Sequence, residues 1–339
     1  VVSAGPGGDR AVDVLVILDG ASEPLRDAPT SLERARTPVL DGLAAEGAVT
    51  ALRTVPRGLR AGSETAIPGL LGWVPDAALD RGAIEAAAHG AEIGQGERAW
   101  RVDRRDRADA AATARALERL LAEHLPRGRG AGVHRVHHLA GHRMLVVGPD
   151  STSTPGAELL GIELRTGVLG AELLVWPAGE IPPRVLGDDT VVIGARGAAI
   201  GIARLMGART IVPPGATGRP GSDIAAKAAA ALAAIDVGAA RVVVHVGTPD
   251  EAAHELDVDA KVAAIETADA LLLEPLSEAV RARGGTLRVC PDHGCDPATG
   301  EHDDMPVPCL DWPAPAAALA SGGRLTERTI VERLTAVAA

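Results

Sequence analysis

The stretch AVDVLVILDG, residues 11–20, decides the fold. An uncharged, β-branched run from Val14 to Leu18 predicts a buried strand. The Asp19-Gly20 pair that ends it puts a carboxylate at the strand's C-terminal tip. Similar runs recur at TVVIGA (190–195), RTIVPP (209–214), ARVVVHVG (240–247) and GTLRVCPDHG (285–294). Between them lie Ala- and Leu-rich helical stretches: AAIGIARLMG, SDIAAKAAAALAAI and DAKVAAIETADALLLEPLSEAVRARG. After the first strand, TSLERARTPVLDGLAAEG reads as a capped amphipathic helix, broken near Pro38 and closed by Gly47. Alternating strand and helix predict an α/β fold, a mostly parallel sheet with helices on both faces. Ligands on such sheets sit at the carboxyl ends of the strands. Asp19, the segment HVGTPDEAAH and the segment CPDHG all fall there.

The segment from 76 to 187 differs in character. It is rich in arginine (Arg98, Arg101, Arg104, Arg105, Arg107, Arg115, Arg119, Arg127, Arg129, Arg135, Arg143) and contains no lysine. Strand-like HRMLVVG and AELLVWP flank a helical pattern, DAAATARALERLLAEHL, which indicates a smaller α+β domain. The expected organisation is one discontinuous domain, 1–75 with 188–339, interrupted by an inserted domain at 76–187.

With 46% hydrophobic residues and neither Phe nor Tyr, the core has to be built from Val, Leu, Ile and Ala, which suits buried parallel strands. A net charge of −11 disfavours nucleic acid and anionic membrane as partners. It does not disfavour a small anionic substrate, because bound metal ions reverse the sign locally. No apolar run approaches membrane-spanning length, and the first residues lack a basic-then-apolar signal pattern. Three cysteines argue against a disulfide framework and for a reducing compartment, so the expected location is cytoplasmic. GATGRPG lacks the Lys-Ser/Thr ending of a nucleotide-binding loop. HRVHHLAGHR is explained by alternation along a hairpin.

Six positions have ordinary explanations taken singly. Asp250 and His254, four apart in PDEAAHELD, form a surface pair if helical. Asp292-His293 reads as a turn after a strand, His302 as a loop histidine, and Asp19 as a turn-initiating residue. Taken together, with all of them just beyond predicted strands at one sheet edge, these carboxylates and histidines are the ligand types of a dinuclear zinc or manganese site. Ser63, in RAGSETA, has two readings. It is either an ordinary N-cap or a nucleophile whose hydroxyl a metal activates for attack on phosphorus.

The chain resembles the archaeal-type 2,3-bisphosphoglycerate-independent phosphoglycerate mutases of the alkaline phosphatase superfamily. The pieces that carry the resemblance are, in order, LDGASEPL with TSLERARTPVLDGLAAEG, then RGLRAGSETA, WRVDRR, GHRMLVVGP and IGIARLMG. VPPGATGRPGSDIAAKAAAAL, VHVGTPDEAAHELDVDAKVAAIE and PDHGCDPATGEHDDMPVP follow. They are collinear over nearly the whole length. The resemblance implies an alkaline-phosphatase-like fold and two divalent metal ions, Mn²⁺ or Zn²⁺ in preference to Mg²⁺. One ion would be held by Asp19, Ser63, Asp292 and His293, the other by Asp250, His254 and His302. It further implies that Ser63 is transiently phosphorylated. The insert becomes a lid that grips a small phosphorylated metabolite through Arg101, Arg104, Arg105 and Arg143. The oligomeric state is left open.

The chain departs from the family's pattern at Ile67, where the family has His. It departs also in the insert, where the family's acidic run is reduced to DSTSTPG. Three functions stay open on the residues: a phosphomutase, a phosphohydrolase or phosphotransferase for a different small phosphate, and a catalytically silent homologue.

Overall fold

The computed structural model describes residues 11–106, 108–124, 134–150, 172–316 and 323–338. Arg107, Arg127, Arg129 and residues 151–156 of the shortened run lie outside the described residues. The chain forms two compact units, Val1–Asp76 with Pro182–Ala339, and Ala77–Ile181. The smaller unit thus ends at 181, and residues 182–187 belong to the larger unit.

The larger unit is built on a seven-stranded sheet. Its strands are β1 (Asp13–Leu18), β2 (Ala48–Leu52), β7 (Thr190–Ile193), β8 (Arg209–Ile211), β9 (Arg241–Val246), β10 (Thr286–Cys290) and β13 (Val307–Trp312). The order is β2-β13-β10-β1-β9-β7-β8. The five strands β10, β1, β9, β7 and β8 run parallel, while β13 and β2 add an antiparallel edge. All five parallel strands are the runs legible in the sequence. Apart from the first residue of β1 and of β9, strands β1, β7 and β9 are buried along their length, which explains why they read as continuous apolar runs.

The helices begin and end where side chains satisfy their free backbone groups. In α1 (Ser31–Arg34), Thr30 and Glu33 form a reciprocal capping box. The next helix, α2 (Pro38–Glu46), starts with proline, and its N-terminal amides of Val39 and Leu40 donate to the Asp269 carboxylate at 3.1 and 2.8 Å. Asp269 opens a π-helical turn, Asp269–Leu273, that joins Val258–Ala268 to Glu274–Ala282, so the long stretch read as one helix is continuous with a bulge before Pro275. No helix among the described residues is long and apolar enough to cross a membrane.

The smaller unit is an antiparallel sheet in the order β4 (Arg135–Ala140), β5 (Arg143–Pro149), β3 (Glu97–Arg104), β6 (Leu173–Val175). Alternation sends Trp100, Val102, Met144 and Val146 to one face, against Leu117, Leu120 and Leu121 of α5 (Ala111–His124). Ala99, Leu145 and Val147 go to the other, against Ala86 of α4 (Arg81–His89). Helix α4 approaches so closely that a Cβ on Gly82 would lie 2.0 Å from the Ala99 carbonyl oxygen.

Arg101 is locked inside this unit. Its guanidinium, half-buried, bonds Glu85 at 2.8 Å and Asp103 at 3.0 Å, and both carboxylates are buried. Removing the cation would leave two buried carboxylates without it. Arg101→Ala is therefore expected to cost about 3 kcal/mol of stability, read as a lowered denaturation midpoint. An unchanged midpoint would show that Arg101 is not part of the scaffold.

Candidate metal centre

Three adjacent central strands deliver the site from their C-terminal ends. Asp19 follows β1, Asp292 and His293 follow β10, and Asp250 lies in α8 (Thr248–His254), which follows β9. His254 sits on the same face of α8, one turn on from Asp250. His302 comes from the two-stranded ribbon of β11 (Gly294–Asp296) and β12 (Glu301–Asp303). Ser63 is the first residue of α3 (Ser63–Leu71). Gly62, not Ser63, occupies the N-cap position, and Ser63 makes no capping bond. Its Oγ instead lies 3.2 Å from Asp19 Oδ1 and 3.3 Å from His293 Nε2. The ordinary capping explanation for this serine is thereby removed.

Six of these residues, joined by Cys295, fall into two neighbouring groups. Asp19, Asp292 and His293 have ligand atoms within 4.8 Å of one another, as do Asp250, His254, His302 and Cys295. The His293 and His302 rings, 4.2 Å apart between centroids, form the wall between the groups.

The imidazoles are oriented by backbone carbonyls. Nδ1 of His254 lies 2.8 Å from Gly300 O, Nδ1 of His293 3.1 Å from Gly294 O, and Nδ1 of His302 3.2 Å from Ala61 O. A carbonyl only accepts, so each Nδ1 carries a proton and each neutral ring turns its Nε2 lone pair inward. There the lone pairs meet acceptors. His254 and His302 face one another across 3.0 Å and face Asp250 at 3.3 and 3.2 Å, while His293 faces Asp19 at 3.3 Å. Asp292 Oδ1 accepts from the amides of Gly20 and His293, but its buried Oδ2 accepts nothing, and neither does Asp250 Oδ1. A constellation of acceptors with nothing to accept from fits divalent cations, and the donor set of imidazole and carboxylate suits zinc or manganese.

Without cations, protons take their part. Burial, and next the Asp19 charge, push Asp292 up to about 6. Burial opposes a charge on His293, but Asp292, Asp19 and Asp250 outweigh it and hold the ring well above its ordinary value. Burial also raises Asp19 and Asp250, yet the surrounding histidines prevail and keep both carboxyls below the usual range.

Gly20 is required here on two counts. Its φ is +59°, and a Cβ would lie 2.5 Å from Asp250 Oδ1.

Three residues close to the site were missed in the sequence. His245, inside β9, places Nε2 3.3 Å from Asp19 Oδ2. Lys227 is fully buried, donates to the His245 carbonyl at 2.8 Å, and is pulled down to about 8 by burial against the opposing attraction of Asp19. Cys295 joins the Asp250 group. The only usable signal was composition: Lys227 and Lys261 are the chain's sole lysines, and both are 0% exposed.

The arginines singled out in the insert are engaged within their own unit. Arg101 pairs as described, Arg104 bonds Asp106 (Nε at 2.9 Å) and Thr113, and Arg105 bonds Glu172 at 3.0 Å. Arg143 opens β5 opposite Asp103. Ile67 is 1% exposed, one turn beyond Ser63.

Residues 12–331 match the Metalloenzyme superfamily. A curated relative, 2,3-bisphosphoglycerate-independent phosphoglycerate mutase 2 of Methanothermobacter thermautotrophicus, is 30% identical over 88% of this chain and 87% of its own. Among solved structures, a protein of Pyrococcus horikoshii aligns with a TM-score of 0.75 at 23% identity, covering 95% of this chain and 92% of that one. The cofactor-independent phosphoglycerate mutase of Thermoplasma acidophilum aligns with a TM-score of 0.54 at 19% identity, covering 95% of each chain. These two structures establish the fold, an α/β architecture with a large, mostly parallel sheet.

The site predicts opposite pH trends with and without metal. Asp292 titrates at about 6 when folded and near the ordinary carboxyl value of 3.8 when unfolded. A raised folded value means that its contribution is complete below the unfolded value and is lost as pH rises through the folded one. Metal-free protein should therefore lose this contribution between about pH 4 and about pH 6. Metal binding needs deprotonated ligands, so the gain in melting temperature on adding Mn²⁺ or Zn²⁺ should grow from about pH 5 to about pH 7. A gain that is absent, or equal at both, would contradict a metal centre built on these groups.

Proposed function

Because this chain belongs to the Metalloenzyme superfamily, and within it to the family of 2,3-bisphosphoglycerate-independent phosphoglycerate mutases, we propose that it is a phosphomutase. In this reading it moves a phosphoryl group between hydroxyls of a phosphoglycerate by way of Ser63. The observation that carries it is the Ser63 hydroxyl, set at the N-terminus of α3 and within 3.3 Å of both Asp19 and His293.

Asp19, Ser63, Asp292 and His293 would hold one divalent ion, and Asp250, His254 and His302 the other. When bound, the ions supply positive charge that lowers the proton affinity of a hydroxyl and neutralises a phosphate. The protein's own groups do the rest. Asp19 Oδ1 receives the hydrogen bond of Ser63 Oγ–H and so aims the oxygen lone pairs away from itself. Ser63 Oγ gives up its proton and forms a bond to phosphorus as the substrate's ester P–O bond breaks, and the departing alkoxide takes up that proton, so that none is gained or lost overall. The N-terminal end of α3 favours the negative charge of the phosphoseryl group. Return transfer to the neighbouring hydroxyl regenerates the serine. The smaller unit is assigned to substrate recognition, with Arg101, Arg104, Arg105 and Arg143 as its candidate residues, the first three also holding carboxylates of that unit.

A second reading is transfer to water or to another acceptor. It is favoured by Ile67, an apolar side chain where the resembled pattern has histidine. Incubation with 3-phosphoglycerate in heavy-oxygen water separates the two. A mutase returns the isomer without free phosphate, whereas a hydrolase releases phosphate carrying the label.

Ser63→Ala is expected to lower turnover by about a thousandfold or more while leaving metal content unchanged. Intact-mass measurement after substrate addition should find one added phosphate on the wild type and none on the variant. Normal turnover by the variant would remove Ser63 from the reaction.

A further inference from the structure

Cys295 stands in the second group of ligands as a built position. It is 0% exposed. Its amide donates to Ser22 O at 2.8 Å, and its carbonyl accepts from Lys261 Nζ at 2.6 Å. Lys261 is itself fully buried and spends its remaining donors on Ser22 O and Glu23 Oε2, at 3.2 and 3.0 Å. The backbone of Cys295 is thus held from both sides. In the β11–β12 ribbon Cys295 pairs directly with His302, and opposite residues of an antiparallel pair project to the same face. The sulfur accordingly lies with the ligand atoms of Asp250, His254 and His302, all within 4.8 Å of one another. A second observation points to a cation in the same place: Asp250 Oδ1, on a residue 9% exposed, accepts no hydrogen bond and faces the Nε2 lone pair of His302 at 3.2 Å.

We propose that Cys295 is a fourth protein ligand at this position, bound as thiolate, and that it turns the Asp250–His254–His302 position towards zinc or cobalt and away from manganese and magnesium. The inference rests on the reading of this cluster as a divalent-metal site. Binding forms a sulfur–metal bond and breaks the S–H bond heterolytically; the proton passes to solvent and no electron changes hands. Two imidazoles, a carboxylate and a thiolate make a four-coordinate set of the kind zinc accepts, and thiolate is the softest of the available donors. Among the described residues, the other group, Asp19, Asp292 and His293, includes no sulfur ligand atom. The two positions therefore differ in the ions they select.

Cobalt substitution of the full chain tests both layers. Co²⁺ binding gives visible ligand-field bands whatever the ligands, whereas only a thiolate adds a near-ultraviolet sulfur-to-cobalt charge-transfer band. The wild type should show both, Cys295→Ser only the first, and Cys309→Ala both. Cys295→Ser should also weaken zinc binding by at least about tenfold, a loss typical even of groups behind the ligands, with a smaller effect on manganese. X-ray absorption at the zinc edge of the wild type needs no variant and should find a sulfur neighbour at about 2.3 Å. Ligand-field bands without charge transfer, or zinc without sulfur, would overturn the cysteine ligand and leave the metal site standing. No cobalt binding at all would overturn both.

Discussion

Three carboxylates and three inward-facing imidazole lone pairs converge on one site, and the structure around them is arranged to make that tolerable. Two unit charges about 4 Å apart repel by about 4 kcal/mol at the effective dielectric typical of proteins. The ligand atoms of Asp19 and Asp292 lie within 4.8 Å of one another, so these two carboxylates alone incur such a cost. The pocket responds as such pockets must, with Asp292 pushed up and His293 taking a proton where no metal does so. Divalent cations would satisfy the same demand, and Asp292 Oδ2, which accepts no hydrogen bond, is among the oxygens that could hold them.

The scaffold contributes rigidity and positive charge. Parallel strands β10, β1 and β9 are adjacent, so side chains far apart in sequence leave the sheet at one point. The only two lysines of the chain are both buried within this region. Lys227 braces β9 at His245, and Lys261 ties the segment after β1 to β11. Each ammonium is placed to act on backbone carbonyls, which fixes loops that carry ligands without supplying a ligand itself.

The parallel half of the sheet was legible because strands buried on both faces read as continuous apolar runs, and Val14–Leu18 is such a run. The antiparallel edge was not. β2 follows α2 with a single intervening residue, and β13 carries Pro308, which argues against a strand from sequence alone. The seven candidate ligands were legible because Asp-Gly, Asp-His and the i,i+4 Asp-His spacing sit just beyond predicted strands. Cys295 and His245 were hidden for a physical reason: only the β11–β12 register and the depth of β9 bring them to the site. The arginines show the opposite ambiguity. A guanidinium in an Arg-rich segment is as ready to pair with a carboxylate of its own sheet as with a substrate, and Arg101 does so with Glu85 and Asp103.

The central claim is that the pocket is a two-cation centre beside a nucleophilic serine. Anomalous diffraction from crystals of the metal-loaded protein tests it most directly. The account predicts two ions, one among Asp19, Ser63, Asp292 and His293 with Ser63 Oγ in contact, and one among Asp250, His254 and His302. A fully loaded protein with no ion in the pocket, or with a single ion out of reach of Ser63, would contradict it.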